Sequence, residues 1–250
     1  MYEPLFLGNS EKKAIVVFIH GFMGSPRLFD GFARKVHSQG YSATSLLLPG
    51  HGKTTKAFSS STKDQWQDHV NAEIERFSAD YGKIFLVGHS MGCLLAINAA
   101  VKHSEYVQGL FLMACPLKLR IVSLISIKTL IKQVFRRRNH PMKSAYLDGS
   151  SIPLYPTLLW RSVRPIVELK KLIRITKRDL CGVCVPVTAV YALSDEVVSM
   201  RSLGILKSCL DKSCLDCITL SDSLHAYYPE HELSELEEAL VTAIERSNAR

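Results

Sequence analysis

The pentapeptide Gly88-His89-Ser90-Met91-Gly92 constrains this chain more than any other feature, because of what flanks it. Residues 84–87 (Ile-Phe-Leu-Val) form a short apolar run with β-branched and aromatic side chains, the pattern of a strand buried on both faces. Residues 91–103 read as a helix that starts at once. A strand that turns this sharply into a helix needs glycines beside the turn, and it lifts the residue between them above the sheet edge. That residue is a serine, at the end of a helix whose dipole favours negative charge. Ser90 is therefore a candidate nucleophile.

Similar apolar runs occur at 14–19, 42–48, 107–113, 186–192 and 217–220, and helical patterns lie among them at 28–39, 64–78, 91–103 and 231–246. This alternation predicts an α/β fold, a mostly parallel central sheet with helices on both faces. The last helix is the clearest. Glu232, Glu235, Glu237 and Glu238 fall in its early turns, Arg246 near its end, and Leu233, Leu236, Leu240 and Ile244 on one face. The alternation stops after Pro116 and resumes at Val185. One domain over 1–250, with a helical insert at roughly 117–180, accounts for this.

That insert has a distinct charge. It holds 15 Lys and Arg against Asp148, Glu168 and Asp179, a net +12, so the rest of the chain carries −4 of the total +8. A mildly acidic body with one basic element does not suit a protein that wraps nucleic acid along its surface. At 250 residues and 47% hydrophobic, the chain is too apolar for intrinsic disorder. It offers no secretory leader and no uncharged run on the order of 18 residues that would span a membrane, so a cytoplasmic location is expected. Seven cysteines, an odd number in a mid-sized chain, point to reduced thiols.

A serine hydroxyl attacks only if a base takes its proton and a carboxylate orients that base. In a strand-turn-helix setting the chain order is Ser, then Asp or Glu, then His. Of the later histidines, His103 falls at the end of the helix after the turn, His140 in the insert, and His231 at the start of the last helix. His225, in the loop after the last strand, is the expected base. Asp195 follows the strand at 186–192, at the carboxyl edge where parallel sheets collect functional groups. It is preferred over the adjacent Glu196 and over Asp222. The oxyanion of a tetrahedral intermediate needs two donors. The Met91 amide supplies one, and the Phe22 amide, in His20-Gly21-Phe22-Met23-Gly24 after the strand at 14–19, supplies the other. His20 reads as a structural residue of that loop.

Together, HGFMG at 20–24, LLLPGHG at 46–52, GHSMG at 88–92, SDEVV at 194–198 and His225 give a chain that resembles α/β-hydrolases. It is most similar to small bacterial carboxylesterases and monoacylglycerol-lipase-like enzymes. The likeness covers all but the insert and departs at Leu224, where relatives commonly have Gly. It implies Ser90, Asp195 and His225 as a catalytic triad, Phe22 and Met91 as the oxyanion hole, a turn role for His51, and an insert that caps an acyl pocket. The expected activity is hydrolysis of lipophilic carboxylic esters through an acyl-enzyme, with no cofactor or metal. Amide or lactone hydrolysis would use the same groups. A non-catalytic module docking on an anionic membrane or protein through the insert is the alternative.

Two features lie outside that machinery. Ile121, Leu124, Ile125, Ile127, Leu130, Ile131, Val134 and Phe135 alternate with Lys128, Lys132 and Arg136, so the stretch over 117–138 predicts a basic amphipathic helix. Its cations suit a weak contact with a membrane surface. The pairs Cys181/Cys184 and Cys214/Cys217 have the spacing of metal ligands, but their Val and Ile neighbours predict buried thiols that act as small apolar residues.

Overall fold

The computed structural model describes residues 3–9, 14–120 and 162–248. In chain order the elements are β1 Leu5–Leu7, β2 Ile15–Ile19, α1 Asp30–Ser38, β3 Ser42–Leu46, α2 Thr55–Ser59, α3 Lys63–Ser78, β4 Ile84–His89, α4 Met91–Lys102 and β5 Val107–Met113. After the segment outside the described residues come α5 Val163–Asp179, β6 Val187–Ala192, α6 Arg201–Cys209, β7 Leu215–Leu220 and α7 Glu230–Asn248.

The seven strands form one sheet in the order β1-β3-β2-β4-β5-β6-β7. All neighbours are parallel except β1, which pairs antiparallel with β3. Alternate residues of each strand enter opposite layers, as the period of two requires. Ile15, Val17 and Ile19 of β2 pack with Trp66 and Ile74 of α3, Leu94 and Ile97 of α4, Leu172 of α5 and Leu206 of α6. Val16 and Phe18 face the other way, onto Phe32 and Val36 of α1 and Leu236, Leu240 and Ile244 of α7. The doubly wound sheet with helices on both faces is thus as the sequence predicts. From β2 the chain steps outward to β3 and then returns to place β4 on the other side of β2. The crevice between β2 and β4, at their carboxyl ends, is where such sheets hold ligands.

Three elements were not expected from the sequence. β1 is only three residues long, and hydroxyls of β3 hold it in place. Ser45 Oγ accepts from the Leu5 amide at 3.2 Å, and Thr44 Oγ1 donates to the Leu5 carbonyl at 3.0 Å. α2 is a single turn capped by Thr54, and α6 carries Gly204 in its interior, which weakens the helical signal. α3, in contrast, starts with a capping box: Thr62 Oγ1 accepts from the Gln65 amide while Gln65 Oε1 accepts from the Thr62 amide.

Most of the insert, residues 121–161, lies outside the described residues, and with it His140 and most of the amphipathic stretch at 117–138. Its first four residues, 117–120, are not helical: Leu119 makes an isolated antiparallel bridge to Val198. The end of the insert is α5, which packs through Leu172 and accepts the Lys63 amide on Glu168 at 3.3 Å. Among the described residues, no helix is long and apolar enough to cross a membrane.

The cysteine expectation is corrected. Cys181, Cys184 and Cys217 are exposed and Cys214 is half-buried. β7 is an edge strand in which Asp216, Cys217 and Thr219 are exposed, so apolar neighbours in sequence do not bury its thiol. Nor do the four sulfurs gather: among the described residues, the only cluster with metal-ligand spacing is Asp222, His231 and Glu232.

Candidate active site

Four loops at the carboxyl edge of the sheet meet beside Ser90. They follow β2, β4, β6 and β7 and bring the loop 20–24, the serine, Asp195 and His225 respectively.

The turn at Ser90 is strained and enforced by its surroundings. Ser90 has φ 52° and ψ −119°, a conformation that costs a residue with a side chain on the order of 1–3 kcal/mol. Its amide donates to the Met113 carbonyl at 2.9 Å, tying the turn to β5. No side chain fits at the flanking glycines: a Cβ on Gly88 would lie 2.6 Å from Cys93 Cα, and one on Gly92 would run into the Ile19 carbonyl. The Cys93 thiol, buried behind the turn, donates to the Gly88 carbonyl at 3.0 Å.

His225 Nε2 lies 3.0 Å from Ser90 Oγ, and His225 Nδ1 lies 2.9 Å from Asp195 Oδ2. All three side chains are buried, with Asp195 only 1% exposed. The other carboxylate oxygen, Oδ1, accepts the Val197 and Val198 amides, each at 2.7 Å. Burial alone would push the Asp195 carboxyl up, but the His225 ring and these two amides outweigh it and hold it below the usual carboxylate value. Asp195 is thus an ionised acceptor, and its contact fixes the proton of a neutral His225 on Nδ1. Nε2 is then left to accept from the Ser90 hydroxyl.

The loop 20–24 is organised by two histidines in a single protonation state. His20 Nε2 accepts the Leu48 amide at 3.2 Å, so its Nδ1 donates to the Gly21 carbonyl at 2.9 Å. His51 Nε2 accepts the Met23 amide at 3.2 Å, and its Nδ1 donates to the Pro49 carbonyl. Burial lowers His20 well below its ordinary value and brings His51 from 6.5 to about 4, so both stay neutral. Met23, at φ 61°, needs the His51 contact to hold its left-handed turn. The Phe22 ring sits 5.1 Å from that of Phe58. A Cβ on Gly21 would lie 2.9 Å from Ser90 Cβ, so only glycine lets this loop approach the serine. Among the described residues, neither the Phe22 nor the Met91 amide makes a hydrogen bond within the protein, which leaves both free to bind an oxyanion.

The remaining candidates lie elsewhere. His103 ends α4 and bonds Asn71 at 3.1 Å. His231 and Asp222 are exposed and pair with each other. Sequence reasoning missed three groups. Glu196 accepts the His225 amide at 3.1 Å, and His89 Nε2 donates to the His225 carbonyl at 2.8 Å. Glu232 accepts the Ser221 and Asp222 amides and the Ser223 hydroxyl, so it shapes the loop leading to His225 besides favouring the α7 dipole. Their positions next to Ser90, next to Asp195 and near the start of α7 were the only signal available.

Comparison with known proteins agrees with this fold. Residues 10–157 match the serine aminopeptidase family, S33. That span holds the loop 20–24 and Ser90 and ends before Asp195 and His225. The chain is 34% identical over 104 residues to a probable lysophospholipase, BODYGUARD 4, of Arabidopsis thaliana, covering 40% of this chain and 24% of that one. It is also 34% identical over 101 residues to a 2-hydroxy-6-oxo-6-(2'-aminophenyl)hexa-2,4-dienoic acid hydrolase of Metapseudomonas resinovorans, covering 39% and 34%. The matched stretches therefore span about a quarter to a third of those relatives' own length. Among solved structures, one from a study of LipS and LipT, two metagenome-derived lipolytic enzymes, superposes with TM-score 0.79 at 22% identity over 98% of both chains. The monoacylglycerol lipase of Paleococcus ferrophilus gives 0.73 at 16% identity, over 99% of this chain and 98% of that one. At such identities the likeness is one of fold. With a matched span that covers more than half of its length and contains the strand-turn-helix at Ser90, this chain belongs to the serine aminopeptidase S33 family and has the α/β-hydrolase fold.

Proposed function

We propose that this protein is a serine hydrolase of lipophilic carboxylic esters. The observation that carries the proposal is the hydrogen-bonded series Ser90 Oγ, His225 Nε2, His225 Nδ1 and Asp195 Oδ2. Ser90 attacks the ester carbonyl as its proton passes to His225, and the Phe22 and Met91 amides hold the oxyanion. His225 then gives the proton to the leaving alcohol, which departs as the acyl-enzyme forms. A water deprotonated by His225 releases the acid and regenerates Ser90. Asp195 holds the ring and stabilises its cation throughout.

The acyl preference rests on resemblance: the relatives and fold neighbours include a probable lysophospholipase and a monoacylglycerol lipase. The family description raises aminopeptidase activity as the rival. An aminopeptidase needs a free carboxylate for the substrate's ammonium group, and Asp195 and Glu196 are both engaged with His225. This favours esters. The insert at 117–180 is proposed as a cap over the acyl site within a single domain, its last helix lying against α3 and α4.

p-Nitrophenyl esters of increasing chain length and aminoacyl amides, assayed beside Ser90→Ala, test the reading. Ester hydrolysis that rises with chain length and vanishes in the variant is expected. Activity on aminoacyl amides alone would overturn it, and no turnover of either would favour a binding module.

One observation supports an additional contact. Val163, Ile166 and Val167 are exposed on α5, which also carries six Lys and Arg, a composition suited to an anionic lipid surface. Adsorption to anionic vesicles that is lost in high salt is the expected result, and salt-independent binding or none would rule the contact out.

A further inference from the structure

Two pairs of consecutive residues grip His225. In each pair one member holds the ring and the other holds the backbone. Ser90 meets Nε2 while His89 donates to the His225 carbonyl at 2.8 Å; Asp195 meets Nδ1 while Glu196 accepts the His225 amide at 3.1 Å. We infer that Glu196, with His89 as its counterpart, is a positioning residue for the reaction, one that fixes the imidazole by clamping its main chain. The inference rests on the triad reading above and adds a determinant that no triad contains.

The physical case starts from the loop. His225 lies between β7 and α7, outside regular structure, so neither its amide nor its carbonyl has a ladder or helix partner. Left unpaired, the peptide groups on both sides of the residue would be free to rotate, and the ring would swing with them. A carboxylate is a stronger acceptor for the His225 amide than a neutral group would be. His89 is suited to its part because it stays neutral. Burial, and then the neighbouring His225, bring it from 6.5 to about 4, so it does not add a second cation when His225 takes the serine proton. The spacing also matters: with Asp195 and Glu196 adjacent, any shift of their loop moves ring and backbone contacts together and keeps the ring oriented towards Ser90.

The test is a mutant cycle on p-nitrophenyl butyrate with the full chain, reading kcat, KM and Tm. Glu196→Ala is expected to lower kcat by about 10- to 100-fold at a KM changed by less than about twofold, because a misplaced base slows chemistry without altering substrate contacts. Glu196→Gln, which keeps an acceptor oxygen at the same reach, should recover most of that loss. Combined with His225→Ala, the Glu196→Ala change should cost nothing further. Should Glu196→Ala fail to fold, Glu196→Asp, shorter by one methylene, decides: a lower kcat at unchanged KM supports the inference and wild-type kcat overturns it. Wild-type kcat in Glu196→Ala, or an equal loss with and without His225, also overturns it. Full activity in His225→Ala would instead overturn the triad reading itself.

Discussion

The Ser90 turn is shaped chiefly by its own neighbours in sequence, with one tie to Met113, whereas the side chains that hold His225 come from 29 to 136 positions away. At the serine, β4, two glycines and α4 force one backbone path, and the strain of φ 52° is absorbed by the packing of those elements on β2 and β5. At the histidine, local contacts shape only the loop around it: the Leu224 amide donates to the Tyr227 carbonyl at 2.9 Å, and Glu232 holds the residues just before. Its ring and both its backbone groups are set by side chains from two other loops. The proposed nucleophile can thus be recognised from five residues, but the proposed base depends on the whole sheet bringing distant loops into register.

The sharpest way to break the comparison is to cut a distant contact without touching the serine. Asp195→Asn should lower kcat by about 10,000-fold while Tm and far-UV circular dichroism stay near wild type, since it alters the proton position on His225 and little else. Retention of a tenth of the activity would mean that the ring needs no carboxylate. The local side breaks differently. Gly92→Ala forces a Cβ into the Ile19 carbonyl and should lose more than about 3 kcal/mol of stability in urea unfolding, with activity falling because the fold does.

The difference explains what could be read in advance. The elbow, the sheet and the last helix rest on periodicity and turn chemistry within windows of a few residues, and they were legible. Asp195 and His225 followed from strand ends and chain order. The roles of Glu196 and His89 were not legible, because each is a hydrogen bond to a distant loop with no pattern linking the two. β1 escaped for the same reason, since its three residues become a strand only by pairing with β3. The cysteines misled because Val and Ile beside them suggest a core, while Cys217 lies on the edge strand and Cys181 and Cys184 lie in the exposed connection between α5 and β6.

Acid should sharpen the contrast between ionised and neutral supports. His51 has a folded value of about 4 against 6.5 unfolded, so the unfolded chain binds more protons between those limits. Stability from this residue is complete above about pH 6.5 and is lost as pH falls towards 4, by about 3 kcal/mol. His51→Gln should therefore show a shallower decline in urea midpoint over that window, and an unchanged slope would remove His51 from the account. The smallest effect concerns neither loop. Thr62→Ala removes the α3 capping box and should cost about 1 kcal/mol with kcat unaltered.

The most direct test of the central claim is mass mapping of the folded protein after reaction with a fluorophosphonate ester. The relay at Ser90 predicts one adduct, on Ser90 itself, that disappears in His225→Ala. An adduct on another residue, or labelling of Ser90 undiminished in His225→Ala, would contradict it.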